Sequence, residues 1–140
     1  MRTWRAYVLG SALLEQRLHA DLQDGHDLAL ADYELLVRLS EGQCGRVRMS
    51  SLAEQVAASK SRVSHQIARM ERAGLVRREE CPSDGRGVFA VLTDAGRAAL
   101  ETAAPTHLDG VRRDFVDLLS PGERDVLAGV FERVIGHLRE

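Results

Sequence analysis

Between Ser59 and Arg78 the chain concentrates side chains suited to hydrogen-bonding rather than to breaking bonds. Val63, Ile67 and Met70 recur at helical spacing, so a helix that buries them turns Arg62, His65, Gln66 and Arg69 the other way, with Ser61 and Ser64 alongside. Donors and acceptors of this kind read base edges in a major groove wide enough for one helix. Ser59, Lys60 and Ser61 fall at the start of that helix, where unpaired amides and the helix dipole favour a phosphate. Any solvent-facing helix is polar, and Ser59 also reads as a simple cap, so the surroundings must decide.

The next segment adds to the case. Pro82-Ser83-Asp84-Gly85-Arg86-Gly87 has the composition of a turn. An arginine at such a tip, flanked by two glycines, can enter a narrow minor groove, where the negative potential is enhanced. Asp84 either pairs with Arg86 and orients its guanidinium or only initiates the turn. Arg77 and Arg78, just upstream, are placed to touch phosphates.

Other chemistries find no support. There is no GxSxG, no P-loop and no dinucleotide-binding glycine pattern. The five histidines, at 19, 26, 65, 107 and 137, show no HExxH and no paired Cys/His spacing. No catalytic residue, metal or cofactor is therefore assigned. Cys44 and Cys81 lack CxxC spacing and read as inert thiols, with a thiol-based redox sensor as the alternative.

Charge is distributed to match. The 140 residues carry a net charge of −2, which excludes a globally basic nucleic-acid coat. Yet residues 46–97 hold ten basic and six acidic side chains, and the remainder nine and fifteen. A basic middle between acidic ends suits a nucleic-acid-contacting module framed by helices, or an uneven surface of no consequence. Eighteen of the nineteen basic residues are arginine, a bias that genome composition alone can produce.

These residues need elements to hold them. Apolar positions 4, 7, 8, 14, 18 and 22 predict a first helix over 4–22, broken by Asp24-Gly25-His26-Asp27. Asp32 is expected to cap a second helix that turns Tyr33, Leu36 and Val37 inward and stops at Gly42. Residues 46–49 alternate and read as a very short strand. Ser51 and Glu54 form a capping-box pattern opening a short helix that ends near Ala58. Ser59 caps the donor-bearing helix and Gly74 closes it. Residues 75–81 and 88–93 read as two antiparallel strands. Thr93 or Asp94 caps a long helix to about Leu119, with Pro105 as a kink or break. Ser120-Pro121-Gly122-Glu123 starts an amphipathic last helix bearing Leu127, Val130, Phe131, Val134, Ile135 and Leu138 on one face. The fold class is mainly α with a small β-hairpin, a winged helix-turn-helix plus a helical dimerisation region. Residues 32–97 form the winged part, intertwined with dimerisation helices over 1–31 and 98–140.

The sequence resembles the MarR (multiple antibiotic resistance regulator) family along nearly its whole length. The likeness rests on Leu52-Ala-Glu-Gln-Val56, Val63-Ser64, Met70-Glu-Arg-Ala-Gly-Leu-Val-Arg77, Asp84-Gly-Arg86 and Leu92-Thr-Asp-Ala-Gly-Arg97. It implies a homodimeric, sequence-specific transcriptional regulator, in most cases a repressor, whose first, fifth and sixth helices interlock and whose winged modules read palindromic double-stranded DNA. The dimer also follows from terminal helices carrying more apolar surface than a small winged domain can cover; two-fold symmetry then places the half-sites about 34 Å apart. The resemblance further implies a small phenolic or aromatic carboxylate effector. Trp4, Arg5, Tyr7, His19 and Tyr33 are the candidates, although aromatics on an apolar stripe more often read as core. Peroxide-sensing relatives carry a reactive cysteine near the first helix, and this chain has none there. No apolar run reaches the ~18 residues of a membrane span, no secretory pattern opens the chain, and a cytoplasmic location is expected. The competing class is a winged-helix module that contacts proteins and not DNA.

Overall fold

The computed structural model describes residues 1–80 and 87–140. Helix α1 covers Arg2–His26, longer than the apolar periodicity predicts. Gly25 does not break it, because one glycine costs a helix only about 1 kcal/mol. The helix ends instead on Asp27, which adopts the left-handed conformation with φ 49° and accepts a hydrogen bond from the Gln23 amide at 2.8 Å. Helix α2, Leu30–Glu41, begins two residues before Asp32. Asp32 is therefore not its cap. Ala29 precedes the helix and offers no side-chain acceptor, and His19 Nδ1 of α1 accepts the Leu30 N–H at 3.2 Å.

Strand β1 (Arg46–Arg48) runs straight into α3 (Met49–Gln55). The strand–helix junction sets the start of α3, so Ser51 lies inside its first turn and the expected capping box does not form. Helix α4, Lys60–Arg72, begins as expected: Ser59 Oγ accepts the Arg62 N–H at 3.1 Å. Beyond α4, Gly74 takes a φ of 79°, a conformation that favours glycine. Strands β2 (Val76–Glu80) and β3 (Val88–Leu92) pair antiparallel from Val76↔Leu92 to Glu80↔Val88. Strand β1 joins the other edge of β3 through Val47↔Ala90, giving the order β1-β3-β2. The short strand and the hairpin predicted separately thus form one sheet.

Thr93, not Asp94, caps α5 (Asp94–Asp114), accepting the Gly96 N–H at 3.0 Å and donating to the Gly74 carbonyl at 2.7 Å. A Cβ at Gly96 would collide with the Leu75 carbonyl, so glycine lets the helix start press against the backbone just before β2. Pro105 lies within an uninterrupted helix, and α5 ends at Asp114, earlier than predicted, before a 3-10 turn over Val116–Leu118. Helix α6, Pro121–Leu138, has the reciprocal Ser120–Glu123 capping box that its sequence predicts. The backbone N–H of Ser120 bonds the Glu123 carboxylate at 2.8 Å and holds its pKa below the usual range.

A single core joins these elements. Leu36 and Leu39 of α2, Leu52 of α3, Val63 and Ile67 of α4, and Val76 and Ala90 of the sheet belong to it. So do Leu22 of α1 and Ala103 of α5, which ties the helical arms into the winged part. Helix α6 contributes no buried residue. No helix among the described residues is long and apolar enough to cross a membrane.

Candidate nucleic-acid interface

Helix α4 buries Val63, Ile67 and Met70, as its periodicity predicts, and the fixed rotation of the helix decides the rest. Lys60, Ser61, Arg62 and His65 are exposed along its N-terminal half, and Ser64 is half-buried. Gln66 departs from expectation. It is 8% exposed, and its Nε2 donates to Asp32 Oδ1 at 3.0 Å. One position before Ile67, it falls on the flank that faces α2, so it cannot be a base-reading residue in this geometry. Arg69 donates to the same Asp32 oxygen at 2.6 Å while its own side chain stays largely exposed. Asp32, relieved of capping, fixes α4 against α2. A carboxylate near a helix start reads locally as a cap; the partners of Asp32 lie 34 and 37 residues on.

The strands next to α4 carry two further arginines. Arg77 is exposed and donates to Glu79 at 2.8 Å. Arg78 is held more firmly: its Nη2 donates to the Ser64 carbonyl at 2.9 Å, and its backbone N–H bonds Glu71 of α4 at 2.9 Å. It pins β2 to the donor-bearing helix. Asp84, Arg86 and Cys81 lie outside the described residues. On β1, Arg46 and Arg48 flank the Phe89 ring at 4.7 and 5.4 Å. Sequence reasoning overlooked this pair, although the alternation Arg46-Val47-Arg48 about a buried Val47 marks both as lying on the outer face. Between α4, the β1–α3 junction and the base of the hairpin lies a cleft of about 330 Å³, lined by Arg48, Ser50, Lys60, Ser64 and Arg78 together with Met49, Gly87 and Val88.

The effector candidates do not form one site within the chain. Trp4, Arg5 and Tyr7 stand near the start of α1, where the Trp4 and Tyr7 rings are 5.8 Å apart and Tyr7 meets Phe131 of α6 at 5.5 Å. His19 lies fifteen residues further along the same helix, about 22 Å away at 1.5 Å per residue, and is spent on the α2 amide. Tyr33 is 5% exposed and packs against the His107 ring, tilted by 41° with centroids 4.6 Å apart. Burial raises the Tyr33 pKa and lowers that of His107, whose Nδ1 is enclosed without a hydrogen-bond partner. Both line a second cleft of about 1050 Å³ between α2, the end of α3, α5 and the end of α6. Glu34 borders it, its pKa raised by burial and by Glu15 and partly restored by Arg38. Cys44 is an exposed free thiol, and no metal-ligating cluster exists among the described residues.

Known proteins share this arrangement. The MarR family model matches residues 28–88. AbsC, a MarR family transcriptional regulator from Streptomyces coelicolor, is 48% identical and superposes with a TM-score of 0.94 over 98% of this chain and 92% of its own. A second MarR family regulator from that organism, crystallised in complex with DNA, is 41% identical with a TM-score of 0.96 over 99% of this chain and 86% of its own. The transcriptional regulator HosA of Escherichia coli O111:H- is 33% identical over 89 residues, which span 64% of this chain and 65% of HosA. Identities of 48% and 41% over nearly the full length of solved relatives place the chain in the MarR family of transcriptional regulators.

Proposed function

We propose that the chain is a DNA-binding repressor that acts as a homodimer on a two-fold-symmetric operator. The observation that carries this reading is the divided surface of α4: Val63, Ile67 and Met70 are sealed in the core, and Lys60, Ser61, Arg62 and His65 stand in solvent on one side. Arg62 and His65 read base edges; Ser59, Lys60, Ser61 and Arg77 face the backbone. On sequence grounds alone, Arg86 is assigned the minor groove and Asp84 its support. Repression is the commoner outcome in the family the sequence resembles.

The dimer is supported by apolar surface that one chain leaves open. Trp4 and Leu9 of α1, Leu118, and Val126, Ile135 and Leu138 of α6 are all exposed. Contiguous patches on that scale mark association surfaces in monomer-sized chains. For control by a small aromatic acid, the support is the larger cleft, with Val37, Val56, Ile135 and Leu138 on its walls and Tyr33 beside His107. Trp4, Arg5, Tyr7 and His19 have no part in that version of the effector site.

Selection of bound duplexes from random DNA, followed by anisotropy titrations at several salt concentrations, tests the reading. A two-fold-symmetric site should emerge, with log affinity falling linearly against log salt as phosphate contacts release counterions. Arg62→Ala should shift sequence preference, and Arg77→Ala should weaken all sequences alike. Failure to bind any duplex at low ionic strength overturns the proposal in favour of a protein-interaction module. A panel of aromatic acids that leaves operator affinity unchanged removes the effector.

A further inference from the structure

We infer that His19 of α1 is a positioning residue for α4: it caps α2 from outside, and so leaves Asp32 free to hold Gln66 and Arg69. This rests on the DNA-binding reading and extends the machinery behind the recognition surface to the first helix. The first amides of a helix have no partner inside it and need an acceptor from elsewhere. Ala29, at the cap position of α2, has none to offer. Asp32 is the acidic residue of that first turn, but its Oδ1 is taken by Gln66 Nε2 at 3.0 Å and by Arg69 Nη2 at 2.6 Å. The acceptor comes instead from His19, whose Nδ1 receives the Leu30 N–H at 3.2 Å. Leu18 and Leu22, beside it on α1, are buried, so the ring stands on an anchored stretch. One turn of α2 thus has three attachments: Leu30 to α1, Asp32 to α4, and Tyr33 to His107 of α5. A shift at Leu30 reaches Asp32 because both lie in the same turn.

The same bond makes the coupling sensitive to protons. An accepting Nδ1 requires the neutral ring with its hydrogen on Nε2. Protonation turns Nδ1 into a donor that faces another donor, and sets a cation at the positive end of a helix. The ionisable groups around the ring come from three helices. Glu15 lies one turn earlier on α1. On α2, Glu34 lies one turn beyond Leu30 and feels both Glu15 and Arg38. The α5 side of the seam carries His107 against Tyr33, and Arg113 between Asp21 and Asp114, with Arg17 of α1 beside them. None of these bonds the His19 ring among the described residues. The neutral ring therefore supports the α4 arrangement, and that support is lost as pH falls.

Affinity for the selected operator, measured for wild type, His19→Ala and His19→Asn from about pH 8 to about pH 5.5, is the test. Asparagine offers an acceptor oxygen close to the place of Nδ1 and does not titrate. At the upper pH His19→Ala should bind about five-fold more weakly, the factor that one lost helix cap represents, and His19→Asn should match the wild type. At the lower pH the wild type should fall about five-fold relative to His19→Asn. That comparison uses only these two proteins, so it stands even where His19→Ala does not fold. In an Asp32→Ala background the loss caused by His19→Ala should vanish, because the route runs through that carboxylate. Additive losses overturn the inference and leave DNA binding intact, as does a ratio of wild type to His19→Asn that is the same at both pH values. An altered mass by light scattering assigns the loss to association and also overturns it. Hydrogen exchange at the Leu30 amide, which needs no DNA, should quicken in His19→Ala and not in His19→Asn; an unchanged rate in His19→Ala removes the cap. Failure of the wild type to bind any duplex overturns the DNA-binding reading and this inference together.

Discussion

In the winged part, Leu36, Leu39, Leu52, Val63 and Ile67 are wholly shielded from water, whereas α6 has no buried residue and leaves Val126 68% and Leu138 76% exposed. Both regions are written in the same helical periodicity, and both begin with well-formed caps. What differs is what lies opposite. Helix α4 packs on α3 and β2 and is tied to α2 within its own chain, while Val126, Val130, Val134, Ile135 and Leu138 of α6 remain exposed. One region completes its core alone; the other presents a half-built one. The proposed recognition surface is therefore completed within one chain, and in the proposed dimer the distance between two such surfaces would be set by the helical ends.

The largest effect expected from breaking this comparison is at the open end. Replacing Val126 and Ile135 together with Asp should halve the mass seen by light scattering and lower operator affinity about a hundred-fold, because linked half-sites lose their effective concentration. Retention of the dimer mass would show that this face is not the interface. Leu36→Ala opens a cavity in the closed core and should cost about 2–5 kcal/mol, with a loss in urea unfolding that persists when protein concentration is varied. A cost under about 1 kcal/mol would contradict its place in the core. Asp32→Ala leaves the buried Gln66 amide unpartnered, at about 1–3 kcal/mol, and frees Arg69; reduced base preference with retained dimer mass is the expected signature.

Acid should act on the seam between the two regions. Burial lowers the His107 pKa below its usual 6.5, so the unfolded chain binds the proton more readily. The stability tied to neutral His107 is present above about pH 6.5 and is lost as pH falls through the lowered value. Melting temperatures recorded from pH 7.5 to 5 should fall less steeply for His107→Phe than for wild type, and parallel curves would remove His107 as a cause. The smallest effect is expected at Arg77, whose ion pair with Glu79 is solvent-exposed. Arg77→Ala should move unfolding free energy by no more than about 0.5 kcal/mol, whatever it does to DNA affinity.

Most of the fold could be read from the chain because it is set by local signals. Val63, Ile67 and Met70 fixed the rotation of α4, Ser59 its start, and the reciprocal Ser120–Glu123 pair the start of α6. Local reading failed where a partner distant in sequence won. Asp32 turned from capping to Gln66 and Arg69, His19 from a candidate ligand contact to the α2 amide, and Ser51 lost its cap to the end of β1. The five effector candidates were grouped because the chain's few aromatics and a cation cluster in that part of the sequence, but a helix of 25 residues keeps its two ends apart whatever their chemistry.

By itself, then, the sequence determined which residues face inward and where most helices begin, because periodicity and capping act within a few residues. Tertiary structure alone decided that Gln66 is tied down, that β1 joins the hairpin in one sheet, and that Arg48, Lys60 and Arg78 converge on one cleft. Those outcomes depend on residues 12 to 45 positions apart in the chain, and no local pattern encodes such a meeting.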